Sequence, residues 1–437
     1  MTRQLNVWIN QTLIGDLEER NGLWTFGYSL EWVKSAGAYP LCPGLPLQVD
    51  RHADGASVRP VQWYFDNLLP EEEQRRLIAS AARIAEADAF GLLAHFGAES
   101  AGSITLLTPG LEPEGGGLNV LPEAELSLRI REMPQIPLAE RSAKRMSLAG
   151  AQHKVAIVYD GAQLLEPTGN TPSTHILKPD HPGETWVHSV VNEWFVMRLA
   201  KRVGLNVPEV HRCYVPQPVY LVERFDRRRS EDCWERLHCI DACQLLGLDR
   251  VYKYSEGSMA RLSEISSLCR PSAMARLSLF QWLVFNVLVG NEDAHLKNLS
   301  CMMTSKGVVL APFYDLLCTA VYGTRAFDQD RWPQQAELAW PILGQQRLQL
   351  INASVLVAAG ESMGIKPATA LTTLQKMIDS VRVHAPELLQ LVEQENQALA
   401  QMKPEIRATL AGEIRLLRAI VSIVIGDMTR QLTDVNG

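Results

Sequence analysis

The stretch Gly290–Ser300, GNEDAHLKNLS, constrains this chain more than any other. It comes after a long apolar segment, Leu277–Val289, and gathers Asp293, His295, Lys297 and Asn298 within a few positions. Taken alone it reads as a solvated loop. The residues on its C-terminal side change that reading. Leu299–Met303 is apolar, Thr304–Gly307 is turn-forming and Val308–Ala311 is apolar again, the pattern of a hairpin. The next segment, Ala311–Leu316 (APFYDL), brings a further acid, Asp315. The chain therefore offers a loop carrying Asp293 and Asn298, a hairpin, and then Asp315.

That is the order of parts in a protein-kinase catalytic centre. There a base carboxylate and a metal-binding Asn share one loop, and a second metal-binding Asp comes after a hairpin. Upstream pieces fit the same plan. Ser147–Gln152 is a small-residue loop ahead of a strand over Lys154–Tyr159, a turn at Asp160–Gly161 and a second strand. Such a turn leaves backbone N–H groups available and lets phosphate approach closely. It is neither GxGxxG nor a Walker loop, and an ordinary Gly-containing hairpin has the same pattern. Thr174–Lys178 (THILK) is a strand ending in Lys178, ahead of a helix over His188–Val203. In a kinase a strand lysine contacts the ATP phosphates and a Glu on the next helix holds it, which makes Glu193 the candidate partner. A solvent-facing Glu193 fits the spacing equally. Pro208–Val222 reads as two strands running into Glu223–Arg228, ERFDRR. An extended segment there suits an adenine-binding hinge, although the Arg cluster also fits a surface salt-bridge patch.

Elsewhere the chain is quieter. Strands are expected at Leu5–Ile9 and Gly102–Leu107, with a turn at Gly15 and a strand or turn over Gly27–Val33. Pro70 and Glu71–Glu73 resemble an acidic helix start, with the helix running through Ala81–Ala87 and another beginning near Asp88. Pro109–Gly117 (PGLEPEGGG) reads as a linker or exposed loop. Cys239–Gly247 looks helical. Further helices are expected at Ser278–Leu288, Ala353–Met363, Pro367–Val383 and Pro404–Ile425. At roughly 150 residues per domain, 437 residues imply two or three domains. The net charge of −7 argues against non-specific nucleic-acid binding by overall charge. The eight cysteines form no CxxC pair and read as buried free thiols of a reducing compartment. No apolar run reaches the roughly 20 residues of a membrane span, and MTRQLNVWIN lacks a signal-peptide core, so the expected location is cytoplasmic.

With these parts assembled, the chain resembles the HipA family, the Ser/Thr kinase toxins of bacterial HipBA-type toxin–antitoxin modules. The matching residues are Ser147–Lys154, Thr174–Lys178, Asn192–Pro208, Val222–Arg228, Phe280–Leu283, Asn291–Asn298 and Pro312–Asp315. Thr25–Tyr28 with Glu31–Trp32, Leu45–Leu47, Phe65–Pro70 and Gly102–Thr105 look like that family's N-terminal subdomain. The resemblance covers nearly the whole chain. It implies an α+β, two-lobed protein-kinase-like fold with an N-terminal α/β subdomain over 1–108, a linker region over 109–140, a nucleotide-binding part over 141–228 and a helical C-terminal lobe over 229–437. By the same resemblance, Asp293 is the catalytic base, and Asn298 and Asp315 hold Mg²⁺. Ala149, Gly150, Ala151, Gln152, His153 and Lys154 cover the ATP. Lys178 contacts phosphate, and Glu223, Arg224 and Phe225 form the adenine hinge. His295, Leu296 and Lys297 complete the loop near the γ-phosphate, and Tyr314 belongs to the ATP site beside Asp315. Ser147 matches an autophosphorylated Ser whose modification shuts the kinase off; a Ser that merely starts the turn is the competing reading. Two departures stand out. Ala294 occupies a position where better-known members have Gly. The region that would contact operator DNA, Gln345–Asn352, has Arg347 as its only cation.

The first functional hypothesis is thus an ATP- and Mg²⁺-dependent Ser/Thr kinase toxin. A helix-turn-helix antitoxin holds it in check, and it acts on a translation component, typically an aminoacyl-tRNA synthetase. Operator DNA is reached only through the antitoxin, and no membrane is involved. The alternative from another class is a catalytically weak or inactive nucleotide-binding co-repressor scaffold. A small-molecule kinase on the same plan is a third.

Overall fold

The computed structural model describes residues 2–113, 115–133, 135–142, 144–230 and 234–433. It divides into two compact units. The first comprises Met1–Pro179, Leu221–Tyr252 and Ser300–Ala311; the second comprises Asp180–Tyr220, Lys253–Leu299 and Pro312–Gly437.

The first unit opens with β1 (Arg3–Ile9), β2 (Thr12–Arg20) and β3 (Leu23–Tyr28), then α1 (Leu30–Lys34) and β4 (His52–Ala53). Helices α2 (Pro60–Asp66), α3 (Glu72–Ala82) and α4 (Ala89–Phe96) precede β5 (Ile104–Leu107). The strands pair in the order β4-β3-β2-β1-β5. Leu5, Val7 and Ile9 alternate onto a buried face, as a period of two requires. α2 and α4 cover the sheet through Phe65 on Phe26 and Phe90 on Trp24. Two expectations are corrected here. Gly15 is not a turn but lies within β2, opposite a register shift in β1, where a Cβ would stand 2.2 Å from the Gly27 carbonyl. The helix expected through Ala87 stops at Ala82, because Arg83 takes the left-handed conformation at φ 56° and caps it.

The stretch 109–140 is more than a linker. It carries β6 (Leu118–Val120) and α5 (Glu123–Glu132), whose buried Arg129 pairs with Glu166 at 2.7 Å. β7 (Val155–Tyr159), β8 (Leu164–Pro167) and β9 (His175–Pro179) form the expected strands. They pair in the order β6-β8-β7-β9. The second unit supplies α6 (Ser189–Arg202) and β10 (Val210–Tyr214). β11 (Pro218–Glu223) begins in the second unit and ends in the first. β12 (Arg227–Arg229), β13 (Trp234–Arg236), β14 (Cys239–Asp241) and α7 (Ala242–Leu246) come next, in the first unit. Cys239–Gly247 is therefore strand then helix, with Asp241 and Gln244 forming a capping box. The described cysteines are all free, and Cys233 lies outside the described residues.

In the second unit α8 (Met259–Leu268) and α9 (Ser272–Leu288) lead to the polar loop. The hairpin β15 (Ser300–Thr304) and β16 (Gly307–Leu310) forms as expected and joins β14 in the first unit. Beyond it, β17 (Glu337–Ile342) and β18 (Gln345–Arg347) interrupt the expected helical lobe. α10 (Ala353–Ser362), α11 (Pro367–Met402), α12 (Arg407–Ala419) and α13 (Gly426–Thr433) complete it. α11 runs well past Val383, through Pro386, because Ala385, Leu388 and Val392 continue its buried stripe. The helix expected over Pro404–Ile425 is a 3₁₀ turn, α12 and a π-helical segment. No helix among the described residues is long and apolar enough to cross a membrane.

Each unit has a buried charge at its centre. In the first, Glu99 meets Lys144 at 2.7 Å, Arg227 at 2.8 Å, Arg236 at 3.1 Å and Arg224 at 3.2 Å. Burial opposes ionisation, but Lys144, Arg227, Arg236 and Arg224 outweigh it and hold Glu99 well below the usual carboxylate range. In the second, Arg212 binds Glu413 at 2.8 Å and Asn396 at 2.6 Å, and the Tyr214 hydroxyl donates to Glu413 at 2.7 Å. Burial pushes the Glu413 carboxyl up to about 7 despite Arg212.

The two carboxyls predict opposite pH behaviour. Glu99→Gln leaves four buried cations short of a partner, and denaturant unfolding at neutral pH is expected to show a loss of about 3–5 kcal/mol. A depressed folded value means that this contribution is complete above the unfolded value of about 4.3 and fades as pH falls through the folded one. Glu413 binds its proton more tightly folded than unfolded. Its wild-type contribution therefore falls as pH rises from about 4.3 to about 7. Over that window Glu413→Gln gains stability relative to wild type in the same assay.

Candidate active site

The polar loop is built from the end of α9 outward. Asn286, buried in the last turn, donates from Nδ2 to the Trp282 carbonyl at 2.8 Å and accepts from Asn291 Nδ2 at 2.7 Å. Asn291 Oδ1 then accepts the Asp293 N–H at 3.0 Å. On the other side, Asn298 Nδ2 donates to the Asp293 carbonyl at 3.0 Å, and the His295 N–H donates to it at 2.8 Å. The backbone of Asp293 is thus held from both directions. Gly290 has φ +63°, and a Cβ there would lie 2.6 Å from Val424 Cγ1 and 3.0 Å from Ala320 Cβ. The Gly290 carbonyl accepts from Ala320 N–H at 3.0 Å and Thr319 Oγ1 at 3.3 Å, while Thr319 Oγ1 accepts from Glu292 N–H at 2.7 Å. Ala294 is not among the residues with positive φ, so Ala serves where Gly was expected. Its carbonyl accepts from Trp340 Nε1 at 3.0 Å.

Asp315 does adopt positive φ, 54°. Asp tolerates this region better than most residues, and an outlier of this kind is typical of functional sites. Phe313 anchors the approach, stacking on Trp282 while its N–H donates to the Asn206 carbonyl at 2.8 Å. Tyr314 donates to the Lys297 carbonyl at 2.8 Å, which ties the Asp315 segment to the loop. Tyr220 reports the local charge: burial, then the Glu193 and Asp315 carboxylates, push its phenol well above the ordinary value. Glu193, on α6, is itself buried. His295, Leu296, Lys297 and Asn298 are buried, whereas Asp293 and Asp315 are half-buried. The two acids are therefore the accessible members of this group.

The remaining predicted residues lie in the first unit. Lys178 is buried on β9. Ser147 is fully buried; its N–H donates to the Glu99 carbonyl at 2.7 Å and its hydroxyl to the Leu68 carbonyl at 2.6 Å. Gly150 has φ +105° and its carbonyl accepts from Glu71 N–H at 3.3 Å. Lys154 Nζ donates to the Ala149 carbonyl at 2.8 Å. His153 is buried, Gln152 half-buried and Ala151 exposed. In the Glu223–Phe225 segment, the Arg224 N–H donates to the Thr174 carbonyl at 2.8 Å and its guanidinium binds Asp226 and Glu99. Arg224 therefore has no backbone N–H to offer a ligand; Arg224 and Arg227 lie in a buried ion network, whereas Arg228 is exposed and makes a surface pair with Glu235 at 2.6 Å. Asn286, Asn291, Thr319, Trp340 and Tyr254, whose hydroxyl donates to Asp293 Oδ1 at 2.7 Å, were not singled out from the sequence. Only the Asn at 291, beside the loop acids, gave a signal that could have been used.

The donor set suits Mg²⁺. Because Nδ2 of Asn298 is committed to Asp293, its Oδ1 is the atom left for a ligand. Among the described residues no three His, Cys, Asp or Glu side chains gather to hold a metal. Mg²⁺ needs no such cage, since it uses one or two protein oxygens with substrate phosphates and water.

Comparison with known proteins decides the family. Residues 5–107 match the HipA N-terminal domain and residues 146–385 the HipA-like C-terminal domain. The chain belongs to the HipA family. The chain is 38% identical over 334 residues to a putative kinase, Y4mE, of Sinorhizobium fredii, covering 73% of this chain and 78% of the relative. It is 32% identical over 342 residues to the serine/threonine-protein kinase toxin HipA of Shewanella oneidensis, covering 74% and 76%. A solved complex of the Shewanella oneidensis HipA, HipB and operator DNA contains a chain with a TM-score of 0.75 and 28% identity, covering 99% of this chain and 100% of that one. The fold is accordingly α+β and HipA-like.

Gly290 offers a direct test of the loop. Gly290→Ala puts a Cβ against Val424 and Ala320 at a positive φ. Denaturant unfolding is expected to show a loss of about 1–3 kcal/mol.

Proposed function

We propose that this HipA-family kinase transfers the ATP γ-phosphate to hydroxyls of Ser or Thr in a protein substrate and in its own Ser147. The observation that carries the reading is the double restraint on Asp293. Its backbone is held by Asn291 and Asn298 while its carboxylate stays accessible. A general base has to be positioned and reachable, and Asp293 is both. It takes the proton as the substrate oxygen bonds to phosphorus and the bond from the γ-phosphorus to the β–γ bridging oxygen breaks, releasing ADP. Asn298 Oδ1 and Asp315 hold Mg²⁺, which neutralises phosphate charge when bound. Lys178 and Lys297 add positive charge, and Ala149–Lys154 covers the nucleotide. Glu223–Phe225 serves the adenine edge, with Arg224 acting as its structural anchor.

The Shewanella oneidensis relative supports the cellular reading, since it is named a toxin and is solved with HipB and operator DNA. We carry over a helix-turn-helix antitoxin as partner and a translation component, such as an aminoacyl-tRNA synthetase, as substrate. The expected outcome of phosphorylation is growth arrest. Direct DNA contact is not part of the proposal, because Arg347 is the only cation in 345–352 and pairs with Glu337 at 3.5 Å. Ser147 has to leave its buried seat to be phosphorylated. A phosphate of about −1.5 to −2 charge then prevents its return against the Leu68 carbonyl.

Incubation with γ-labelled ATP and cell lysate tests this. Wild type is expected to label itself and a discrete target. Asp293→Asn, Asn298→Ala and Asp315→Ala should each lose about 10²-fold or more of the transfer. Ser147→Ala should lose self-labelling while still labelling the target. Equal labelling by Asp293→Asn and wild type would remove the base assignment; nucleotide binding without any transfer would favour a scaffold.

A further inference from the structure

Asp293 has a third restraint, on its side chain. The Tyr254 hydroxyl donates to Oδ1 at 2.7 Å, a short bond of the charge-assisted kind. The two asparagines hold only the backbone of Asp293 and leave its terminal torsion open. That torsion is broad and roughly two-fold, so an untethered carboxylate exchanges its oxygens freely. Tyr254 removes this freedom.

The segment bearing Tyr254 is itself fastened to the loop. The Lys253 carbonyl accepts the Leu296 N–H at 3.2 Å, and the Tyr254 carbonyl accepts the Gly257 N–H at 3.0 Å. Gly257 lies against Trp340, so closely that a Cβ would be 2.4 Å from Trp340 Cδ1. Trp340 in turn donates to the Ala294 carbonyl. The Tyr254 ring meets His295 edge-on at 5.0 Å, and Lys253 Nζ sits 5.1 Å from its centroid. Residues 253–257, Trp340 and the loop thus brace one another, with the phenol at the reactive end.

We propose that Tyr254 is a positioning residue for phosphoryl transfer: it holds Oδ1 so that Oδ2 of Asp293 is the oxygen presented to the substrate hydroxyl. This rests on the reading of Asp293 as the base. An ionised carboxylate has about four acceptor positions, so the phenol and a substrate hydroxyl can be accommodated together. A phenol at this place has two other conceivable roles. It could occupy the substrate's seat as an inhibitory plug, or it could itself accept phosphate.

Tyr254→Phe keeps the ring on His295 and removes only the hydroxyl. The assay is protein-bound label from γ-labelled ATP with casein supplied as acceptor, measured against ATP and casein concentration. Expected is a fall in kcat of about ten- to a hundredfold, the order that misplacement of a reacting group produces, with both KM values and Tm unchanged. A rise in kcat or a fall in the casein KM marks a plug and overturns the proposal. Label on Tyr254 in wild-type peptides overturns it in favour of a phosphate acceptor. A lower kcat together with higher KM values and a lower Tm marks a merely structural tyrosine and overturns the proposal. Asp293→Asn is run alongside. If that variant is inactive and Tyr254→Phe is fully active, this inference alone fails. If Asp293→Asn is fully active, the assignment of the base fails first.

Discussion

The Glu99 carboxylate is the interaction on which the first unit turns. It is fully buried, and four cations from distant parts of the chain converge on it, Lys144, Arg224, Arg227 and Arg236. Asp226, also buried, shares Arg224 and Arg227 and accepts the Gly102 N–H at 2.7 Å. Burying this many charges is costly unless nearly every donor and acceptor is matched. Here the matching is extensive, extending to Ser173, Ser100 and Asn170. The same residue's backbone carbonyl receives the Ser147 N–H. One side chain thus joins the N-terminal sheet region to the loop carrying Ser147 and to the end of β11.

The second unit uses neutral amides for the equivalent task. Asn286, Asn291 and Asn298 form a relay that ends on both sides of Asp293. Amides suit this place because they fix the backbone without adding charge beside the half-buried acids Asp293 and Asp315. The charged pair Arg212–Glu413 lies elsewhere in this unit, linking β10 to α12, with Arg212 stacked over Trp194 of α6.

Local pattern was enough wherever an element depends on its own residues. The hairpin after the polar loop, the strands flanking Asp160–Gly161, α6 and α9 arise from alternation, turn residues and apolar runs. It failed where pairing comes from far away. β6 is a strand because β8 lies beside it, some forty residues on, and nothing in 109–140 announces that. Cys239–Asp241 pairs along β15, which the helix-like run Cys239–Gly247 does not announce. Gly15 reads as a turn until Gly27 is seen pressed against it. α11 continues through Pro386 because its buried stripe continues, and one lost backbone hydrogen bond does not outweigh that packing.

Of the site, the sequence by itself determined which acids and amides the loop can offer. Asp293, Asn298 and Asp315 appear in the order and spacing that kinase chemistry requires, and residue types cannot be rearranged by folding. Tertiary structure decided how those residues are held and which are exposed. It placed Tyr254 on Asp293, Asn291 behind it and Asp315 in a left-handed conformation, and it turned Arg224 and Arg227 inward to Glu99. The bonds of Tyr254 to Asp293 and of Arg224 to Glu99 join residues 39 and 125 positions apart. Such contacts leave no local periodicity, since each partner satisfies its own segment's pattern whether or not the other is present.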